Sequence, residues 1–182
     1  MGAIMSVLTL MVNTRTSPGK GRSISRLIFW GTSDISTLGP LMYLFDTDVL
    51  SSLAKKHRPE GLLARLAAIP RAAQFITAVN IAEIFYGIFK LENESGAGAS
   101  RDLLEFFVKQ VFPRLTVLPF EYEDARAYGR LKAALERKGR PRFEPDLQIA
   151  AIARRHRLTL VTANSRHFQG IPGLRLENRL VR

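Results

Sequence analysis

The sequence predicts an α/β fold: a three-layer α/β/α sandwich around a central, mostly parallel sheet. From Met42 onward, short apolar runs alternate with longer stretches of helical periodicity. Apolar runs as short as "MYLF" and "LTLVT" are typical of buried strands. Strands that alternate with helices indicate a parallel sheet with both faces covered by helices. The sequence shows no internal repeat, so we expect these elements to form one domain.

The predicted elements follow one another along the chain in a regular order. Predicted strands cover residues 42–45, 74–77, 115–120 and 158–162, with an edge strand at 174–177. Predicted helices cover residues 49–57, 59–69, 78–92, 101–112, 122–138 and 146–157. The stretch "NESGAGAS" has the composition of a loop, and its last residue, Ser100, is the expected cap of the helix that follows.

The first 41 residues differ from the rest of the chain. The stretch "NTRTSPGKGRSISR" has neither a helical nor a strand period and is typical of disorder. The twelve apolar residues before it lack the basic flank of a secretory signal and are too short to span a bilayer. We therefore expect residues 1–41 to be a disordered or mis-started extension, and residues 42–182 to be the folded domain.

The cysteine content and the net charge of the chain indicate its cellular compartment and the kind of partner it binds. The chain has no cysteine, which excludes a disulfide framework and a cysteine-based zinc site and fits a reducing compartment. We expect a cytoplasmic protein with no membrane partner. The net charge of +11 favours a polyanionic partner, with nucleic acid as the first candidate. The alternative is a basic surface without a function.

Four polar residues lie shortly after predicted strands or after the basic loop "KGRPRFEP". Asp46 ends the first strand, and Glu83 lies six residues past the second, within the apolar set of its helix. Asp146 opens a helix, and Asn164 follows the strand "LTLVT". Because sites in open parallel sheets gather at the carboxyl ends of the strands, we expect these four side chains to meet at one edge.

Each of these residues also has a purely structural interpretation. Asp46, Asp48 and Asp146 are each suited to cap the N-terminus of the helix that follows. Glu83 would then be a partly buried acid paired with an arginine, and Asn164 a turn residue.

Their joint placement favours a metal site. Three carboxylates gathered at one edge repel one another, and a hard divalent cation such as Mg²⁺ or Mn²⁺ removes that repulsion and prefers oxygen ligands. Such a cation lowers the pKa of a water and neutralises charge on a phosphoryl oxygen. Beside a basic surface, this arrangement suggests metal-assisted phosphodiester hydrolysis.

The chain from Met42 onward resembles PIN-domain ribonucleases, in particular the VapC-type toxins of toxin–antitoxin pairs. The matching segments are "YLFDTDVLSSL", "FITAVNIAEIFYGI", "GRPRFEPDLQIAAIARRHRLTLVTANSRHF" and "IPGLRLEN". The resemblance rests on their order and spacing over the domain, and it does not cover residues 1–41. It implies an α/β/α sandwich with an acidic metal site and endoribonuclease activity on structured RNA.

The resemblance also implies which residues are catalytic. The family's three acids map to Asp46, Glu83 and Asp146, which are expected to hold Mg²⁺, with Mn²⁺ as an alternative. Many relatives place a fourth acid at the position of Asn164 or of His167. Neither residue is an acid here, so we expect one well-held Mg²⁺ ion and at most a weaker second one. Asn164 is expected to be an oxygen ligand or a residue that orients a metal-bound water.

Other residues are expected to support this site. Thr47 and Thr162 are candidates to fix the rotamers of the acids, and Asp48 is an extra carboxylate behind the metal ligands. Lys138, Arg140 and Arg142 are candidates to hold substrate phosphates, unless they form a solvated loop. The three histidines, His57, His156 and His167, show no ligand spacing and are interpreted as structural or surface residues.

Partners also follow from the resemblance. It implies a cognate VapB-like antitoxin whose C-terminal segment covers the active cleft, and a homodimer of the toxin. The apolar residues Ile84, Phe85, Phe89, Phe106 and Phe107 exceed what one core face of each helix needs. They are either core residues or a groove for a partner helix.

Two rival functions remain at this stage. "FDTDVL" also fits the first motif of haloacid-dehalogenase-like phosphatases, in which Asp46 would be a nucleophile and Asp48 an acid/base. That family needs a late acidic motif, which is absent after "LTLVT". The other rival is a PIN-like module that binds RNA or a partner without cleaving it.

Overall fold

The computed structural model describes residues 42–57 and 59–178. Within them, five strands form one sheet in the order β3-β2-β1-β4-β5, and every neighbouring pair is parallel. The strands are β1 (Tyr43–Phe45), β2 (Gln74–Thr77), β3 (Thr116–Leu118), β4 (Thr159–Val161) and β5 (Arg175–Glu177). All five predicted strands are therefore present, including the edge strand near the end of the described chain. The predicted extension, residues 1–41, lies outside the described residues.

Seven α-helices connect and cover the sheet in this part of the chain. They are α1 (Thr47–Ala54), α2 (Leu62–Ala67), α3 (Ala78–Ser95), α4 (Ala97–Phe106), α5 (Tyr122–Glu136), α6 (Glu144–Arg155) and α7 (Ser165–Phe168). Because parallel crossovers are right-handed, this strand order puts α1–α4 on one face of the sheet and α5–α7 on the other. The predicted three-layer sandwich is confirmed.

The core lies on both faces of the sheet, as the strand period requires. Phe45, Ile76 and Val161 join one buried cluster with apolar residues of α1–α4, while Leu44 and Leu160 point to the opposite face and are fully buried. Helix α6 is buried continuously from Ile149 to Ala153. No helix among residues 42–57 and 59–178 is long and apolar enough to cross a membrane.

The prediction of a loop at "NESGAGAS" is wrong. Helix α3 continues to Ser95 and α4 begins at Ala97, so only Gly96 separates them. Gly96 has φ of +82°, a backbone conformation that favours glycine, and this single residue allows the two helices to pack against each other. Ser100 is not a helix cap, since it lies inside α4 and is 3% exposed.

Helices α5 and α6 are joined by an ion-pair network with a buried acid. The carboxylate of Asp124 is fully buried and accepts hydrogen bonds from the Arg155 side chain at 2.6 and 3.1 Å. The same guanidinium donates to Glu121 at 2.9 Å, and the backbone N–H of Glu121 donates to Asp124 at 3.0 Å. The network fixes the first turn of α5 against the last turn of α6.

The order of the strands places a cleft at the carboxyl ends of β1 and β4. Connections from β1 proceed toward β2 and β3, whereas the next strand, β4, returns to the other side of β1. Open α/β sheets bind their ligands at such a switch point. Asp46 ends β1 and Thr162 ends β4, so the two residues meet there.

Candidate active site

Asp46 lies at the centre of the cleft and is held from two sides. Its backbone N–H donates to Val161 of β4 at 2.9 Å. One carboxylate oxygen accepts from the Thr47 N–H at 2.8 Å, and the other accepts from the Thr162 hydroxyl at 2.8 Å. Asp46 is thus the N-cap of α1, as its structural interpretation requires, and also faces the cleft. The hydroxyl of Thr162 has the role predicted for it, since it fixes the rotamer of this acid.

The environment of Asp46 disfavours its charged form. Burial, together with the neighbouring carboxylates of Asp48 and Asp146, raises the pKa of Asp46 to about 7, although its hydrogen bonds to Thr162 and Thr47 act in the opposite direction. A carboxylate that is this strongly perturbed and lies in a cleft is a candidate functional group. A bound cation would stabilise the charged form.

Asp48 ties α1 to the turn that follows β4. Its carboxylate accepts backbone N–H bonds from Ala163 at 3.0 Å and from Asn164 at 2.9 Å, and the Thr162 hydroxyl lies at 3.3 Å. Asp48 lies inside the first turn of α1, so its interpretation as an N-cap is wrong. Its hydrogen bonds hold the turn against α1 and thereby position the residues around Asp46.

Glu83 reaches the cleft through a chain of polar contacts. Thr77 at the end of β2 and Asn80 form a reciprocal cap at the start of α3. Asn80 donates to the Thr47 hydroxyl at 3.0 Å, and that hydroxyl donates to Glu83 at 2.7 Å. Burial raises the pKa of Glu83, and Asp146 and Asp48 add to the effect against the Thr47 hydrogen bond. The hydroxyl of Thr47 therefore orients this acid, as predicted.

We expect replacement of Thr47 by valine to lower the proposed nuclease activity by roughly 10–100-fold, as the loss of a group that orients a ligand commonly does. Valine keeps the shape of threonine but removes the hydroxyl that joins Asn80 to Glu83. The measurement is the cleavage rate of a single RNA substrate. Thr47→Ser keeps the hydroxyl and should retain most of the activity; equal losses in both variants would contradict this role.

Asp146 completes the acidic cluster from α6. The helix begins at Glu144 and Phe143 is its N-cap, so the interpretation of Asp146 as an N-cap is wrong. Asp146 lies in the first turn, where it is 8% exposed. Burial raises its pKa, while His167 and Arg142 lower it. The charges of Asp48 and Asp146 raise the pKa of both Asp46 and Glu83, so Asp146 lies within electrostatic range of the other two predicted metal ligands.

His167 is a site residue that the sequence analysis did not select. Its Nδ1 lies 3.1 Å from Asp146, and its Nε2 lies 2.8 Å from the Asn164 amide nitrogen. With Nε2 accepting from Asn164, Nδ1 carries the proton and donates to Asp146. Asn164 therefore reaches the acids through His167. The sequence signals for this role were the position of His167, at which some relatives place an acid, and its spacing of three residues from Asn164.

Of the three predicted substrate-binding residues, Arg140 and Arg142 contact the turn after α7. Arg142 donates to the backbone carbonyl of Gln169 at 3.1 Å and is near enough to lower the pKa of Asp146. The guanidinium of Arg140 lies beside Gly170 in the same turn. Lys138 is exposed at the end of α5. The loop that carries the two arginines is thus packed on the turn after α7.

The donors of this site fit a hard divalent cation. Asp46, Glu83 and Asp146 offer carboxylate oxygens, and burial, with a smaller effect of neighbouring carboxylates, raises the pKa of each of them. Among residues 42–57 and 59–178, no three acidic or histidine side chains are grouped closely enough to surround an ion. Mg²⁺ commonly keeps several waters and binds through one or two carboxylates, which suits this wider spacing.

The parallel sheet and its acidic switch point define a PIN-like α/β domain with a carboxylate site. The sequence profile of the PIN domain matches residues 43–174. The chain belongs to the PIN domain family. This membership confirms the predicted resemblance, and the phosphatase alternative is wrong.

Relatives within this family are VapC proteins. The chain is 32% identical over 139 residues to ribonuclease VapC2 of Haemophilus influenzae, a match that covers 76% of this chain and 98% of the relative. It is 30% identical over 138 residues to the tRNA(fMet)-specific endonuclease VapC of Salmonella typhimurium, with the same coverage. A crystal structure of VapBC2 from Rickettsia felis, bound to a promoter DNA fragment, superposes with a TM-score of 0.64 at 30% identity over 75% of this chain and 98% of that one.

Proposed function

We propose that this chain is a divalent-metal-dependent endoribonuclease, the toxin of a toxin–antitoxin pair, which hydrolyses phosphodiester bonds in structured RNA. The observation that carries the proposal is the placement of Asp46, Glu83 and Asp146 near the switch point of the sheet, where burial and neighbouring carboxylates, Asp48 among them, raise the pKa of each acid. The printed names of the VapC relatives, a ribonuclease and a tRNA(fMet)-specific endonuclease, support the same activity and substrate class.

Different residues of the chain would bind the metal and orient its ligands in such a site. Asp46, Glu83 and Asp146 would hold Mg²⁺ or Mn²⁺, which when bound lowers the pKa of water and neutralises charge on a phosphoryl oxygen. Thr162 and the Thr47 N–H keep the Asp46 carboxylate turned toward the cleft. His167, oriented by Asn164, does the same for Asp146.

Substrate positioning is the proposed role of the basic loop. Arg140 and Arg142 extend from the segment that precedes α6, and the helix carries Asp146 in its first turn. Their contact with the 169–170 turn keeps the two guanidinium groups near the acids. Arginine and lysine contacts to phosphates position a nucleic acid without reading its sequence. With Lys138 they would hold the RNA backbone, and cleavage should therefore weaken steeply as salt rises.

An antitoxin is the proposed protein partner. The Rickettsia felis neighbour is a VapBC2 assembly bound to DNA, which supports a VapB-like partner for this chain. Of the predicted groove residues, Ile84 and Phe107 belong to the core at 4% and 2% exposure, whereas Phe89 is 50% exposed. Tyr86, one turn after Glu83, is 69% exposed and joins Phe89 on α3. These two rings are candidates for the antitoxin contact, and the homodimer remains a prediction.

We expect the full chain to cut a mixed tRNA pool in Mg²⁺, and to lose that cutting in EDTA or when Asp146 is replaced by asparagine. Asp146→Asn keeps the shape of the side chain but removes a charged oxygen from the cluster. The loss should exceed about 100-fold, the upper range for groups that only orient ligands. Gel analysis of end-labelled RNA measures it.

Glu144→Gln is the matched control, because Glu144 lies in the same helical turn and is exposed, paired with Lys132. It should cut like the unmodified chain. Full activity of Asp146→Asn, or of the unmodified chain in EDTA, would contradict the proposal. A folded chain that binds RNA but cuts neither tRNA nor total RNA would favour the alternative, a non-cleaving RNA-binding module.

A further inference from the structure

A cavity of about 590 Å³ opens beside the acidic cluster and has no role in the site described above. Its lining comes from α1, from the segment after α1 and from the turn after β4: Asp48, Ser51, Ser52, Lys55, His57, Pro59 and Ala163. The cavity is widely open to solvent, so a ligand bound there would be only partly covered. Asp48 and Ala163, which are hydrogen-bonded to each other, form its inner wall.

The inner and outer ends of the cavity differ in charge. At the inner end, the carboxylate of Asp48 is already engaged by two backbone N–H groups and the Thr162 hydroxyl. At the outer end lie Lys55 and His57, whose side chains form no hydrogen bond or ion pair with the part of the chain that the structure describes. Lys55 caps the C-terminus of α1, about 10 Å along the helix axis from Asp48.

This lining matches the chemistry of a nucleotide. The Lys55 ammonium is suited to bind a phosphate and has no competing partner among residues 42–57 and 59–178, and the exposed imidazole ring of His57 offers a face on which a base can stack. Ser51 adds a hydroxyl on the same wall, suited to a ribose hydroxyl or a base edge. Single-stranded RNA presents all three groups at once, since its bases are free to leave the stack.

We propose that this cavity binds the nucleotide adjacent to the one whose phosphate lies at the acidic cluster, with Lys55 on its backbone phosphate and His57 against its base. The proposal rests on the function proposed above. It places the RNA on both sides of the acids: the arginine loop holds one side, and the cavity holds the other. Asp48 then separates the two subsites while its hydrogen bonds keep the intervening turn fixed.

The test compares Lys55→Ala with Lys56→Ala in the full chain. Lys56 is the next residue, carries the same charge and is exposed, but does not line the cavity. RNA affinity is measured over a salt series in the Asp146→Asn background, and KM and kcat are measured in the active chain. For Lys55→Ala we expect a several-fold weaker affinity, a salt slope that is smaller by about 0.7–0.9, and a higher KM with little change in kcat. Lys56→Ala should leave all four quantities nearly unchanged.

A second variant tests whether the volume of the cavity, rather than the charge of Lys55, is needed for RNA binding. Ser51→Phe directs a ring into the cavity and should also raise KM, because the nucleotide and the ring compete for one volume. If Lys55→Ala and Lys56→Ala behave alike, and Ser51→Phe cuts normally, the cavity proposal is overturned while the nuclease stands. If RNA binding depends on Lys55 but no RNA is cut, the cavity proposal holds and the nuclease proposal fails.

Discussion

Replacing Asp46 by asparagine is expected to abolish RNA cleavage and, at the same time, to make the folded chain more stable at neutral pH. An amide can keep both hydrogen bonds of the carboxylate, since its oxygen accepts from the Thr47 N–H and its nitrogen donates to the Thr162 hydroxyl. The variant loses only the charge, which the proposed reaction needs and the fold disfavours. Cleavage should fall by more than the roughly 10–100-fold that an orienting group contributes.

The stability change has a definite pH dependence. The pKa of Asp46 is raised from 3.8 to about 7 in the folded chain, so the folded chain binds this proton more tightly than the unfolded chain does. The resulting stabilisation is fully present below about pH 4 and is lost as the pH rises through about 7. At pH 8 the charged carboxylate therefore costs on the order of 2–4 kcal/mol, at about 1.4 kcal/mol per pKa unit.

Urea unfolding of both chains at pH 5 and pH 8, in EDTA, measures this difference. The free energy of unfolding of Asp46→Asn should exceed that of the unmodified chain at pH 8 and match it more closely at pH 5. Asp102→Asn makes the same change at an exposed residue of α4. Its free energy of unfolding should equal that of the unmodified chain at both pH values. Adding Mg²⁺ should stabilise the unmodified chain but not Asp46→Asn. A variant that is less stable at pH 8, or that still cuts RNA, would refute the assignment.

Replacing Arg155 by alanine is expected to destabilise the fold by about 3–5 kcal/mol, the usual cost of removing one partner from a buried ion pair. Asp124 is fully buried, and Arg155 supplies both of its side-chain hydrogen bonds. Without the guanidinium, a charge remains in the interior with only the Glu121 N–H as a donor. Urea unfolding at pH 7 measures the loss.

Two further variants separate the buried charge from lost packing. Arg154→Ala removes an exposed arginine from the same turn of α6 and should change the free energy of unfolding by less than about 0.5 kcal/mol. Asp124→Asn combined with Arg155→Ala removes the buried charge as well and should recover part of the loss. If the double variant is no more stable than Arg155→Ala, the effect comes from packing instead.

The sheet could be predicted from the sequence because its central strands, β1, β2 and β4, are largely buried on both faces and their apolar runs are short and continuous. The junction between α3 and α4 could not be predicted, because its sequence, which contains Asn93, Gly96 and Gly98, has the composition of a loop. Helix α4 forms there through packing that local sequence does not report: Ser100 and Phe107 are buried, and α4 lies against α3. Tertiary contacts override intrinsic helix propensity at such positions.

In the candidate site, too, some residues could be predicted from their positions in the sequence, whereas others depend on contacts that only the structure shows. Asp46, Glu83 and Asp146 stand at recognisable positions relative to strands and helices, so the sequence indicated them together. His167 did not stand out, since its contact with Asp146 depends on how α7 is oriented over α6. The two roles of Asp46, helix cap and cleft acid, looked like alternatives in the sequence, yet one carboxylate serves both because it has two oxygens.

The hydrogen bond between Asp46 and Thr162 joins residues 116 positions apart in the chain. A ribosome adds residues from the N-terminus at about 5–20 per second, so β1 emerges several seconds before the strand that completes its edge of the cleft. Until β4 pairs with β1, Asp46 lacks its Thr162 partner and Asp48 lacks the backbone groups that hold it. If the chain has the proposed nuclease function, we expect a nascent chain that ends before β4 to cut no RNA, because the site lacks these contacts until β4 is in place.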